Sequence, residues 1–324
     1  MALAQVRAIY DGAPSALAPV ATQAARLAAL GWAMIVVATI VFIAVMAILL
    51  IPLWRRRGAP HTDSPPADVN EVGWVVYGGA AVPALILAGI FVLTLVTLRA
   101  SDPPSDTPHA PRPLEIQVIG HQWWWGVRYP QYGIESADEI HLPVGRVARI
   151  TLMSNDVIHS FWVPQLAGKT DVIPGRVNTT WLRADIVGVW RGTCAEYCGM
   201  QHAHMALSVI AEPGGAFQQW ARQSRAAATA PVERTNAAGA QIFVTQCGAC
   251  HTVRGTQAGG RFGPDLTHFA SRLTIAGGML PNVRGNLAGW IENPDRIKPG
   301  TRMPAVPLNG EQLVAVVAYL ESLK

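Results

Sequence analysis

Two long uncharged stretches in the first hundred residues constrain this chain more than any other feature. No acidic or basic side chain lies between Arg26 and Arg55, and the heart of that interval, Trp32 to Leu53, reads WAMIVVATIVFIAVMAILLIPL. A second uncharged interval lies between Glu71 and Arg99 and contains GWVVYGGAAVPALILAGIFVLTLVTL. About 20 apolar residues suffice for a helix to cross the hydrocarbon of a bilayer. A buried helix of a soluble core is the other reading, and the length argues against it. The spacing therefore predicts a transmembrane hairpin over residues 31–100, with helices at about 31–53 and 73–98. Pro83 and the Gly78-Gly79 pair do not exclude the second helix, because membrane helices tolerate both residue types. Arg55, Arg56 and Arg57 follow the first span at once. The positive-inside rule places that loop in the cytoplasm and both chain ends outside. Everything after about residue 100 is then exported. Residues 1–30 carry Arg7, Asp11 and Arg26 without an apolar h-region, so they do not read as a cleavable signal peptide. They are expected as a short, poorly ordered N-terminal segment on the periplasmic side.

The remaining chain divides by composition. Half of the 324 residues are hydrophobic and 14% are charged, which suits membrane spans joined to globular parts. A net charge of +4 is too small to argue for nucleic acid. Residues 101–113, SDPPSDTPHAPRP, form a proline-rich linker that cannot pack a core. Residues 114–212 alternate short apolar runs (LEIQVIG, RVARITLMS, TTWLRADI, ALSVIAE) with turns (PVG, VPQLAGK, IPGR). This predicts an antiparallel β-sandwich of about 100 residues. Residues 213–236 read as a short helix and then a linker. Residues 237–324 begin with AAGAQIFVTQC, end with NGEQLVAVVAYLESL and have a Gly- and Pro-rich middle, the pattern of a small, separate, all-α domain.

Two stretches carry metal chemistry. Cys194 to Met205, CAEYCGMQHAHM, gathers thiols, imidazoles, a thioether and a carboxylate within one loop. These soft-to-borderline ligands suit copper or zinc. Cys194, Cys198, His202 and Met205 have spacings that let them converge. His159, expected in another loop, is the candidate ligand from outside. His204 lacks the four-residue separation from Cys198 that His202 has. Zinc would use two Cys and two His, but would leave Met205 unexplained. The second stretch, Cys247-Gly-Ala-Cys250-His251, is the C-x-x-C-H attachment pattern of c-type haem. Cys247 and Cys250 would bond the two vinyl groups, and His251 would ligate the iron. Met303 in KPGTRMPAV is the candidate sixth ligand, with Met279 in AGGMLPN as competitor. His/Met ligation raises the potential and suits electron transfer. His268 reads as a surface or loop residue. Two disulfides are the alternative use of the four cysteines, but each would close a very small loop.

Taken together, the hairpin, GHQWWW (120–125), NDVIHSFW (155–162) and CAEYCGMQHAHM resemble cytochrome c oxidase subunit II. The added domain, with CGACH, RFGPDL and KPGTRMPA, resembles the caa-type form, in which a cytochrome c is fused to that subunit. The resemblance implies a cupredoxin-like domain with a dinuclear copper centre, CuA. Its ligands here would be His159, Cys194, Cys198, His202, Met205 and the backbone carbonyl of Glu196. It further implies that the Glu196 carboxylate helps hold magnesium at the interface with subunit I. Trp123 matches the aromatic through which electrons enter CuA; by its residue type alone it reads equally as a sandwich-core tryptophan. Trp124 replaces the tyrosine more usual in the family. Glu71 resembles the carboxylate at the mouth of a proton channel, although the spacing from Trp74 to Pro83 is longer than usual and a helix-entry charge is its local reading.

The implied activity is that of an electron-entry subunit of a proton-translocating oxidoreductase. Electrons pass from a donor, such as a cytochrome c or a quinol–cytochrome c reductase, to covalent haem c, then CuA, then subunit I, which reduces dioxygen. Subunit III and membrane lipid are further expected partners, and nucleic acid is not. The expected location is multi-pass in a bacterial plasma membrane, with both metal domains on the periplasmic face. The alternative is a CuA-containing subunit of a nitric oxide reductase. Residues 231–324 carry nine Lys/Arg and six Asp/Glu, and residues 112–220 carry eight and nine. Neither balance implies strong steering of a donor.

Overall fold

The structure, a computed structural model, describes residues 14–56, 71–102, 112–228 and 234–324. The first thirteen residues, the loop from Arg57, most of the proline-rich linker and residues 229–233 lie outside the described residues, as do the expectations placed on them.

Helix α1 (Thr22–Arg56) and helix α2 (Glu71–Ala100) are each long and apolar enough to cross a membrane. Their large side chains, Phe42, Ile43, Leu85 and Phe91 among them, are exposed rather than packed. Such a surface is stable in an apolar surrounding and costly in water. The hydroxyls of Thr39, Thr94 and Thr97 bond back to carbonyls one turn earlier, which keeps them satisfied without water. Within α2 the turns over Trp74–Ala81 are π-helical, and the Val82 N–H bonds to the Tyr77 carbonyl. Pro83 lacks an N–H and crowds the carbonyl four residues earlier, so a widened turn just ahead of it relieves the crowding. Helix α1 starts at Thr22, inside the segment expected to be irregular through residue 30. Its first turn has an external partner: the Asp185 carboxylate accepts from the Thr22 N–H at 3.1 Å and from its hydroxyl at 2.9 Å.

Ten strands form the two layers of a sandwich. One sheet has the order β3 (Ile134–Ala137), β2 (Trp124–Tyr129), β1 (Leu114–His121), β5 (Ala148–Ser154), β8 (Asn178–Leu182). The other runs β4 (Glu139–Pro143), β10 (Ala206–Glu212), β9 (Gly188–Cys194), β6 (His159–Trp162), β7 (Thr170–Val172). Alternation decides which face is inward: in β1, Leu114, Ile116 and Val118 are buried and their neighbours are partly exposed. Trp125, Tyr129, Phe161 and Ile150 fill the space between the sheets. Most pairings are antiparallel as expected, but β1 runs parallel to β5 and β10 parallel to β4. Parallel neighbours need a crossover, and here β4 crosses to the other sheet between β1 and β5. His159 was expected in a loop; it is instead the first residue of β6, held by pairing with Val172 of β7.

Helix α3 (Gly214–Arg225) closes the sandwich with Phe217 and with Trp220, which stacks on His141 at 4.1 Å between ring centroids. The C-terminal domain is built on α4 (Arg234–Gln246), α5 (Arg284–Glu292), α6 (Pro294–Ile297) and α7 (Gly310–Ser322), with a two-residue ladder of β11 (Thr274–Ile275) and β12 (Leu280–Pro281). Helices α4 and α7 cross at Gly239, where an added Cβ would lie 2.8 Å from that of Tyr319. Helix α7 opens with a capping box, Asn309 to the Gln312 amide and Gln312 back to the Asn309 amide, each at 2.9 Å. This domain has its own core around Phe243, Val316 and Leu320, and it packs against the sandwich in one compact unit, joined by bonds such as Ala206 N–H to the Gly277 carbonyl at 2.9 Å and Gln201 Nε2 to the Pro299 carbonyl at 3.0 Å.

Candidate functional site

The loop between β9 and β10 is a hairpin connection closed by its own strands. The Cys194 N–H bonds to the Met205 carbonyl at 2.9 Å, which brings the two ends of CAEYCGMQHAHM side by side. Within it the Cys194 and Cys198 sulfurs lie 3.8 Å apart as free thiols, so neither the chain nor the loop geometry uses a disulfide. The Cys194 sulfur is 3.2 Å from the Glu196 carbonyl and 3.9 Å from His159 Nδ1. The Cys198 sulfur is 3.6 Å from His202 Nδ1 and 3.9 Å from the Met205 sulfur. The six donors proposed from the sequence thus converge. His204 turns away and bonds Gln201 at 2.7 Å. The Glu196 side chain is exposed.

The electrostatics of this cluster suit a soft cation. The hydrogen bond from Cys198 holds the Cys194 thiol down to about 3 against burial, and His159 adds to the effect. Cys198, as the donor, is pushed well up, with burial adding to the rise. A metal that takes both thiolates must therefore release a proton. One tetrahedral zinc would need four of these donors and leave a thioether and a carbonyl over. The set of two thiols, two imidazoles, a thioether and a carbonyl fits a pair of copper ions, for which thioether is a suitable ligand.

Three residues that sequence reasoning did not single out hold His159 and the thiol loop in place. The Asp156 carboxylate lies 2.8 Å from His159 Nε2 and accepts the Gln122 and Val157 amides at 2.7 and 2.8 Å. Burial raises the Asp156 carboxyl, but His159 and the two amides outweigh it and hold the group below the usual carboxylate range. Its signal was an acid three residues ahead of a candidate ligand. Gly120 lies under the ring: a Cβ there would be 2.6 Å from His159 Cδ2. Gln122 donates to the Cys198 carbonyl at 2.8 Å.

The second site is a cavity of about 470 Å³ where the C-terminal domain meets the sandwich, lined by Cys247, Cys250, His251 and Met303 together with apolar side chains such as Phe243, Leu287 and Val316. Its size and apolar lining match those of cofactor sites. His251 Nδ1 donates to the Pro264 carbonyl at 2.9 Å, which leaves Nε2 as the free lone pair for a metal. Burial lowers the His251 pKa, opposed by that bond, and favours the neutral imidazole that ligates iron. Gly263 gives the ring its room, since a Cβ there would be 2.5 Å from His251 Cε1. Met303 lines the cavity, and Met279 is not among its lining residues. His268 bonds the Ala226 and Lys324 carbonyls instead. The donor set and cavity fit a covalent haem.

Two side chains belong to both sites. Trp123 and Gln122 line the cavity, and the Trp123 indole N–H donates to the Cys198 carbonyl at 2.9 Å beside the Gln122 amide. Trp124 stacks on His121 at 4.2 Å and also faces the cavity. Glu71 is the exposed first residue of α2.

Both clusters of candidate ligands lie in stretches that match known families. Residues 133–212 match the family described as cytochrome C oxidase subunit II, periplasmic domain, and residues 236–324 match cytochrome c. A cytochrome c oxidase subunit 2 of Alkalihalophilus pseudofirmus is 38% identical over 298 residues, covering 90% of this chain and 85% of the relative. The subunit 2 of a Bacillus species is 32% identical over 288 residues, covering 83% and 79%. Among solved structures, the periplasmic domain of subunit II from Bradyrhizobium japonicum is 31% identical, covers 38% of this chain and 96% of its own, and superposes with a TM-score of 0.35.

Proposed function

The chain belongs to the cytochrome c oxidase subunit II family, and we propose that it is the electron-entry subunit of a terminal haem–copper oxidase of the caa type. The observation that carries this reading is Trp123, whose ring lines the cavity and whose N–H reaches the Cys198 carbonyl of the thiol cluster. When bound, haem c and a copper pair would supply one-electron chemistry between the donor and subunit I, the subunit that would reduce dioxygen with proton translocation.

The chain's own residues hold and separate the two centres. Cys247 and Cys250 would anchor the haem, with His251 and Met303 available as ligands to its iron. His159, Cys194, Cys198, His202, Met205 and the Glu196 carbonyl would hold the copper. A cage built at the end of a packed sandwich changes little between redox states, which favours fast transfer. Packing the two domains into one unit replaces a diffusional encounter by a fixed neighbour. The exposed Glu196 carboxylate is available to a magnesium ion shared with subunit I. The two apolar helices cross the plasma membrane against lipid and subunit I, with subunit III in the same complex and both metal domains on the periplasmic face. Glu71, at the first turn of α2, sits at the entry of a proton channel in subunit I.

Metal analysis with visible and EPR spectra of the purified chain tests the assignment. One haem and two coppers sharing an electron are expected, with magnesium appearing only in the complex. Zinc or a single copper in the Cys194–Met205 loop would overturn it. Oxygen consumption, rather than nitric oxide consumption, by the co-purifying complex separates the oxidase from the reductase reading.

A further inference from the structure

Lys298 is a buried cation that lines the cavity beside Trp123 and is a ligand of neither centre. It follows the short helix α6, is 2% exposed and lies where the C-terminal domain meets the sandwich. Its ammonium donates three hydrogen bonds: to the Trp123 carbonyl at 2.8 Å, the Ala276 carbonyl at 2.8 Å and the His204 carbonyl at 2.9 Å. These acceptors come from the β1–β2 turn, a loop of the C-terminal domain and the copper-ligand hairpin. One side chain therefore ties together the three segments that surround the Trp123 bridge. Burial lowers the Lys298 pKa to about 8, with Asp138 and Cys198 opposing, so the group keeps its charge and all three hydrogens at neutral pH.

Packing alone does not explain a lysine here. A methionine of similar length would fill the volume without desolvating a charge. The feature only lysine offers is a compact ammonium with three donors, whereas the arginine fork is planar and spreads its donors. The surroundings are shaped for the same close approach. A Cβ at Gly277 would collide with the Trp123 carbonyl and lie 2.6 Å from Lys298 Nζ.

We propose that Lys298 is a positioning residue for electron transfer between the two centres: it fixes the Trp123 backbone so that the indole stays seated against the cavity while bonded to the Cys198 carbonyl. The inference rests on the Trp123 route given above. The step it serves moves one electron, oxidising haem iron and reducing the copper pair, and moves no proton. The external donor supplies that electron.

The test uses the detergent-solubilised protein with haem and copper loaded. A photoexcited ruthenium complex reduces the haem, and haem reoxidation is followed optically. K298M is expected to slow transfer about tenfold or more, with both potentials and both metal contents unchanged. K298R should not restore the rate. Hydrogen exchange at the Ala206 amide, which bonds Gly277 across the junction, should rise in K298M. In a W123F background, adding K298M should bring no further slowing. A wild-type rate in K298M, alongside a slow W123F, overturns the role of Lys298 and leaves the route standing. Equal slowing by K298M with and without Trp123 also overturns it, since the lysine would then only hold the domains together. A wild-type rate in W123F removes the route and this inference with it. Should K298M lose its metals, K298Q, which keeps two donors, carries the same comparison.

Discussion

Replacing Gly120 by alanine isolates the packing that aims His159. Gly120 has no positive φ, so alanine adds no backbone strain and the whole effect is steric. The new Cβ would lie 2.6 Å from His159 Cδ2, 3.1 Å from Cγ and 3.3 Å from Nε2. The strand cannot recoil, because Gly120 pairs with Trp125 on one side and Ser154 on the other, and its carbonyl takes the Asn155 amide at 3.0 Å. Nor can the ring turn freely, with Asp156 2.8 Å from Nε2 and the Cys194 sulfur 3.9 Å from Nδ1. An ordinary contact begins at 3.4 Å, so the ring must move by roughly 0.8 Å, against a tolerance of about 0.2 Å in a metal–ligand distance. Overpacking of this kind costs about 1–3 kcal/mol, or about 5- to 150-fold in binding. Copper titration of the detergent-solubilised protein, read by metal content and EPR, should therefore show affinity reduced by about 10- to 100-fold. G126A is the control: in the neighbouring strand β2, its Cβ would meet His121 Nε2 at an ordinary 3.4 Å, and copper binding should be unchanged. Two coppers at wild-type affinity in G120A would refute the reasoning.

The haem site offers the matching substitution. G263A places a Cβ 2.5 Å from His251 Cε1; haem should remain attached through Cys247 and Cys250 while the ferrous form gains carbon monoxide binding, and an inert ferrous haem would count against the contact. Met303→Ala should leave haem attached but lower its potential, and an unchanged potential would move the sixth ligand elsewhere. Asp138 provides a pH test. Burial pushes its carboxyl up to about 6 from 3.8, against the Trp125 amide, Lys298 and Arg272. The folded state then holds a proton that the unfolded state has lost, so stability falls as pH rises from about 4 to 6. Asparagine keeps the acceptor for the Trp125 amide and tolerates the φ of 59°. The stability of D138N relative to wild type should improve across that window by an amount on the order of 3 kcal/mol, measured by denaturant unfolding in detergent. A pH-independent difference would assign no buried charge to Asp138.

What could be read from the sequence and what could not divides by chain distance and by kind of feature. The two long apolar helices were legible because a bilayer imposes a length. The candidate copper-ligand cluster was legible because all but one of its residues fall within twelve positions, and the candidate haem site because its attachment pattern spans five residues. Parallel pairing of β1 with β5 was not, since alternation is identical in parallel and antiparallel strands. The role of Lys298 was not legible either, because its three acceptors lie 175, 94 and 22 residues away. The glycines are the deeper case. Donor atoms announce themselves by residue type, but a site also needs space held open where the backbone is rigid. Gly120 and Gly263 hold that space beneath His159 and His251, and Gly277 holds it beside the Trp123 carbonyl. A missing side chain carries no chemistry in a sequence and acquires it only once a distant ring is placed on top of it. Substitutions at these glycines should therefore disturb metal binding and interdomain contact as strongly as changes to residues that touch the metal's ligands directly.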